Sequence, residues 1–246
     1  MSRRRLDARL VEELRAAASG KLLVAFDLDG TLAPITAHRS AARLSRRTRA
    51  LLRRVALRHP TAVLTGRSRA DARGRLLGIP LAAVVGNHGL ESSAKHRAAR
   101  AMVRGWLAQL EGVPDLDIER KGESFSLHFR NAPNPGIGRK AALHAVSLLK
   151  PRPRVIDGKK LLNVLPDVGV DKGTALVALM RSLGTPAAVY VGDDLTDEDV
   201  FALPDSTGII TVRVGKSYKT KAKYWIPEQR DIDALLEVLA ALTPSP

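Results

Sequence analysis

The chain has 246 residues, 45% of them hydrophobic, and a formal net charge of +15. That length and apolar content suit one large domain, or a core with a smaller insertion, and exclude a disordered polypeptide. With no cysteine, disulfides, thiolate metal sites and a cysteine nucleophile are excluded; with only 4% aromatic residues, the scattered basic charge reads as a solvated surface, not a single-strand stacking platform.

The arginine-rich start is followed by Leu6, Leu10, Val11 and Leu14 at helical spacing, which predicts a short amphipathic helix. Asp7, Glu12 and Glu13 interrupt it, and no apolar h-region follows, so neither a signal nor a transit peptide is expected. No apolar stretch approaches the ~18 residues of a membrane span. A soluble, cytoplasmic, monomeric protein with no membrane partner and no specific nucleic-acid partner is expected.

Four nearly continuous apolar runs then mark strands: Leu22–Phe26, Ala62–Leu64, Leu81–Val85 and Ala187–Val191. Runs without alternation belong to strands buried on both faces, as in a parallel sheet. Helical periodicity lies between them, at Leu44–Leu57 and Thr174–Leu183, and the last part reads as a strand (Thr211–Val214) and a closing helix (Ile232–Leu242). The fold class is therefore α/β, a doubly wound parallel-sheet core.

Residues 93–166 break that rhythm. A helix carrying Met102, Val103, Trp106, Leu107 and Leu110 precedes a strand with Phe125, Leu127 and Phe129 on one face and Ser124, Ser126, His128 and Arg130 on the other. Such alternation predicts an antiparallel sheet with one wet face. A second helix (Ile137–Leu149) and a hairpin turning at Asp157-Gly158 complete the segment. The expected organisation is a core of residues 1–92 and 167–246 with a smaller α+β domain, 93–166, inserted as a cap.

Chemistry is expected where the core strands end. Asp27 and Asp29, two apart after the first strand, point the same way, and Gly30 permits a tight turn. Asp193 and Asp194 follow a later strand. Adjacent carboxylates after buried strands call for a cation, and Mg²⁺ is held by one or two carboxylates together with substrate phosphate oxygens. One carboxylate can attack a phosphoryl group while a second exchanges protons. Thr65, with Gly66 and Arg67, could receive phosphate oxygens, although ordinary capping explains that triplet equally well. Lys172 opposes the dipole at a helix start, which suits an anion nearby.

In this order, Asp27-Leu28-Asp29-Gly30-Thr31, Thr65-Gly66-Arg67, Lys172-Gly173 and Gly192-Asp193-Asp194 resemble the haloacid dehalogenase superfamily of aspartate-nucleophile phosphotransferases. Gly86-Asn87-His88-Gly89-Leu90-Glu91, Lys121-Gly122-Glu123-Ser124, Leu127-His128-Phe129-Arg130 and Asp193–Asp199 are similar to trehalose-phosphatases, a likeness running over roughly 20 to 240. The resemblance implies Mg²⁺-dependent hydrolysis of trehalose 6-phosphate through an aspartyl-phosphate. It makes Asp27 the nucleophile, Asp29 the acid/base, and Thr65 and Lys172 the phosphate grip. The metal would rest on Asp27, the Asp29 carbonyl and Asp193, with Asp194 close by. Sugar contacts would come from Arg67, His88, Glu91, Lys121, His128, Arg130 and Asn163. One departure stands out: where the family usually carries a Glu and an Arg before the last cap proline, this chain has Asn163 and Leu165. A phosphatase for another glycosyl phosphate is the nearest alternative, and a non-enzymatic sugar-phosphate or polyanion binder a more distant one.

Overall fold

The computed structural model describes residues 6–36, 41–111, 117–129, 132–158 and 160–243. Its central sheet has six strands: β1 Leu22–Phe26, β2 Thr61–Leu64, β3 Ala83–Val85, β8 Ala187–Gly192, β9 Ile209–Val214 and β10 Tyr224–Ile226. Their order is β10-β9-β8-β1-β2-β3, and every pairing is parallel. β1 shows why continuous apolar runs mark such strands. Leu22, Val24 and Phe26 enter one core cluster and Leu23 and Ala25 the other, so neither face tolerates a polar side chain.

Helices cover both faces. α1 (Ala8–Ala18), α2 (Arg46–Ala56), α3 (Arg69–Arg75) and α8 (Ile232–Ala241) contribute to the first cluster. α6 (Lys172–Leu183) and the short α7 (Glu198–Phe201) contribute to the second. The predicted N-terminal helix therefore belongs to the core, with Leu10 and Leu14 buried. No helix among the described residues is long and apolar enough to cross a membrane.

The second sheet is antiparallel, in the order β4-β5-β7-β6, from β4 Asp117–Arg120, β5 Phe125–His128, β6 Arg154–Gly158 and β7 Leu161–Leu165. α4 (His96–Gln109) and α5 (Pro135–Ser147) pack on one face, where Val103, Trp106 and Val146 meet Phe125, Leu127, Leu162 and Val164. Trp106 is fully buried, edge-on to Phe125, and donates from Nε1 to the Pro151 carbonyl at 2.8 Å. Trp106→Ala should lower stability by about 3–5 kcal/mol, read as a shift of the urea midpoint; an unchanged midpoint would mean this sheet is not anchored there.

Two sequence expectations need correction. The hairpin closes at the Gly158↔Leu161 pair, with Lys160 at φ 60, so Asp157-Gly158 end the strand and do not form the turn. The polar face of β5 is wet only in part: His128 lines the cavity between the two sheets, but Ser124 and Ser126 are buried, and Ser124 Oγ donates to Asn87 Oδ1 of the core at 2.8 Å. That face is polar because it looks onto the strand ends of the first sheet.

Candidate active site

β1 lies between β8 and β2, so the residues after those three strands converge. Asp27 extends β1, its N–H bonding the Val191 carbonyl at 2.8 Å. Gly30, at φ +91, turns the chain so closely past β8 that a Cβ there would stand 2.0 Å from Asp193 Oδ2. Any side chain at this position would push Asp193 away. Asp27, Asp193 and Asp197 each offer a carboxylate oxygen within 4.8 Å of the others.

Lys172 answers this charge. It is 1% exposed, and its Nζ reaches Asp27 Oδ1 and Asp197 Oδ1, each at 2.7 Å. Burial pushes the ammonium down, but Asp197 and Asp27 outweigh it and hold Lys172 well above the usual lysine range. Burial chiefly raises Asp27 to about 7, against the pull of Lys172 and with added repulsion from Asp197 and Asp29. Burial, then Asp27 and Asp197, raise Asp193 to about 9. One buried cation does not offset two buried carboxylates and a half-buried third. This surplus of hard oxygen donors fits a divalent ion of the Mg²⁺ type.

Asp197 is the residue that the sequence reading left outside the site. It is wholly buried and accepts four hydrogen bonds: Lys172 Nζ and the Tyr190 hydroxyl at 2.7 Å on Oδ1, and the Asp193 and Asp194 N–H groups at 2.8 Å on Oδ2. Its lone pairs are spent on orienting the loop, which leaves Asp27 and Asp193 as the carboxylates with capacity for a metal. Asp194 lines the cavity and starts the turn Leu195–Asp197; it is not among the three clustered carboxylates.

Asp29 faces β2. Arg67 grips it through Nε–Oδ2 at 2.5 Å and Nη2–Oδ1 at 2.6 Å, and also reaches Asp71 at 2.7 Å. Thr65 Oγ1 accepts the Arg67 N–H at 3.2 Å, so the Thr65-Gly66-Arg67 loop is braced from within. His88, at φ 56, packs its ring against Gly66.

A cavity of about 920 Å³ separates the two sheets. Asp27, Asp29, Thr65, Arg67, His88 and Lys172 line its floor, and Asp117, Glu119, Lys121, His128 and Asn163 its roof. Glu119, absent from the expected set, accepts or shares a proton with His128 Nε2 at 3.0 Å. Its signal was the alternation of β4, too short to read alone. Glu91 is not a lining residue; its carboxylate accepts from the Arg69 N–H and from Asn87 Nδ2. Arg130 lies outside the described residues. Leu165 is buried beside Leu90 and Ile156 in the apolar junction between the sheets, which explains an uncharged residue there.

Side-chain contacts tie the roof to the floor. Asn87 Nδ2 stands 2.7 Å from the Lys121 carbonyl and 2.8 Å from Glu123 Oε2, which with Glu91 share its two hydrogens. Arg154 Nη2 of β6 pairs with Asp199 Oδ1 of α7 at 2.6 Å. Asp199 and Glu198 thus do more than complement a helix dipole, since Glu198 also binds Arg213 at 3.0 Å.

A family model described as Trehalose-phosphatase matches residues 25–228. Probable trehalose-phosphate phosphatase D of Arabidopsis thaliana is 31% identical over 263 residues, covering 94% of this chain and 70% of that protein. Trehalose 6-phosphate phosphatase RA3 of Zea mays is 31% identical over 270 residues, covering 93% and 73%. The C-terminal domain of a C. albicans trehalose-6-phosphate phosphatase shares the fold, with a TM-score of 0.73 and 24% identity over 98% of this chain and 100% of that one.

Proposed function

The chain belongs to the trehalose-phosphatase family, whose named members are phosphoric monoester hydrolases, and we propose that it hydrolyses trehalose 6-phosphate with Mg²⁺ as cofactor. The observation that carries this reading is the cavity itself. Asp27, Asp193 and Lys172 meet at its floor, and a roof of carboxylate, ammonium, imidazole and amide groups faces them. Its volume falls in the range of small-molecule sites.

In this reading the segment 93–166 is the specificity cap. Asp27 and Asp193, with the Asp29 backbone carbonyl, would hold the metal, which when bound would supply positive charge to neutralise the transferring phosphoryl group. The Asp27 carboxylate, already oriented by Lys172, attacks phosphorus as the bond to the sugar oxygen breaks. Asp29 delivers a proton to that oxygen, then takes one from the water that cleaves the aspartyl-phosphate. To do so it must exchange its bidentate contact with Arg67 for the reacting group. Thr65 and Lys172 receive the phosphoryl oxygens, and Lys121 and His128 contact the sugar.

The test is phosphate release from trehalose 6-phosphate, glucose 6-phosphate and sucrose 6-phosphate, with and without EDTA. Turnover should favour trehalose 6-phosphate, vanish in EDTA and return with excess Mg²⁺. Full turnover in EDTA would overturn the metal assignment, and preference for another member of the panel the substrate assignment.

A further inference from the structure

Asn163 sits on β7, opposite Ser126 of β5 and Ile156 of β6. Its Oδ1 accepts from two side chains at once, Lys121 Nζ at 3.2 Å and Ser126 Oγ at 2.8 Å. An ammonium has donors and no lone pair, so the amide end facing Lys121 must be the carbonyl oxygen. The amide is therefore locked in one orientation, and its remaining polar edge is Nδ2. Asn163 lines the cavity together with Gly158 and Leu161. A Cβ on Gly158 would stand 3.5 Å from Nδ2, so the glycine leaves that edge uncovered. Among the described residues nothing accepts a hydrogen bond from Nδ2.

Beside Lys121 and His128 the roof carries two carboxylates, Asp117 and Glu119, which as ions can only accept from a hydroxyl group. We propose that Asn163 is a specificity-determining residue that reads the sugar with the opposite polarity, donating from Nδ2 to an acceptor oxygen of the ring that carries no phosphate. This rests on the glycosyl phosphatase reading and adds the polarity of one contact. A hydroxyl satisfies Nδ2 with a lone pair, and so does an acceptor that has no proton to give. The chain should then accept glycosyl phosphates in which that one hydroxyl is replaced by an acceptor-only group. A carboxylate at the same place would reject them, because two acceptors would face each other unpaired.

The experiment compares mono-deoxy with mono-deoxyfluoro trehalose 6-phosphates, altered in turn at each hydroxyl of the ring without phosphate. At one position the deoxy compound should raise KM about tenfold with kcat little changed, and fluorine, an acceptor only, should recover part of that loss. Asn163→Asp keeps the shape and the acceptor toward Lys121 and Ser126, and should cancel the recovery by fluorine at that position alone. Asn163→Ala should abolish the difference between the two analogues. Turnover of p-nitrophenyl phosphate, which needs only the floor of the cavity, reports whether each variant is folded and chemically competent. If wild-type protein processes trehalose 6-phosphate but shows no fluorine recovery at any position, or if Asn163→Asp leaves the recovery in place, the proposal is wrong while the phosphatase reading stands. If wild-type protein releases phosphate from p-nitrophenyl phosphate but from no trehalose derivative, the substrate reading falls and this inference falls with it.

Discussion

Asp27→Asn is expected to reduce phosphate release by about 10⁴-fold or more, the scale seen when a covalent nucleophile is removed. An amide oxygen does not attack phosphorus, and a neutral ligand holds a divalent cation less well than a carboxylate. The same change should leave the fold intact. Asparagine can still accept from Lys172 through its oxygen, and Lys172 keeps its second carboxylate, Asp197, at 2.7 Å. Burial and like charge already raise Asp27 to about 7, so a neutral side chain relieves repulsion with Asp193 and Asp197. In EDTA the denaturation midpoint of the variant should equal or exceed that of the wild type. Retained Mg²⁺-dependent turnover would remove Asp27 from the role of nucleophile. A collapsed midpoint would show that its charge, not its chemistry, is what the fold needs.

The parts of the molecule that could be read from sequence are those where local chemistry and fold coincide. Leu22–Phe26 and Ala187–Gly192 are uniformly apolar because both faces of the sheet are covered, and the polar residues that end them must lie at the sheet's edge. Asp197 escaped because its role depends on Lys172, 25 residues away, and on Tyr190, whose hydroxyl is hidden inside an apolar run. At the start of a short helix an aspartate is unremarkable on dipole grounds alone. Ser124 and Ser126 were misplaced for a related reason. Alternation reveals which residues share a face, but not whether water or another polar surface lies opposite. Leu81 was read as strand because an apolar residue in a connection looks the same as one in a short strand; the ladder with β2 starts at Ala83, with Ala82 giving only its N–H to the Thr61 carbonyl.

Asp197→Asn should cost about 3–5 kcal/mol of stability in metal-free protein, the scale for breaking a buried ion pair by removing one of its charges, even though Lys172 keeps Asp27 at 2.7 Å. Four donors converge on this carboxylate, two on each oxygen. An amide offers only one acceptor end. If its oxygen faces Lys172 and Tyr190, the NH₂ group confronts the Asp193 and Asp194 N–H groups; if it is reversed, NH₂ confronts an ammonium. Rotation offers no escape, because Gly192 lies so close that even a Cβ there would stand 2.4 Å from Asp197 Oδ2. Relief requires the loop after β8 to shift, and Asp193 shifts with it. Activity should therefore fall together with stability, although Asp197 touches no substrate in the proposed mechanism. The distinguishing measurement is a urea midpoint in EDTA set beside a Mg²⁺ titration of turnover. A large midpoint loss in EDTA marks Asp197 as a positioning residue that aligns Lys172 and Asp193. An unchanged midpoint with only a weakened Mg²⁺ response would instead make it a third metal ligand, and the four hydrogen bonds would no longer account for its burial.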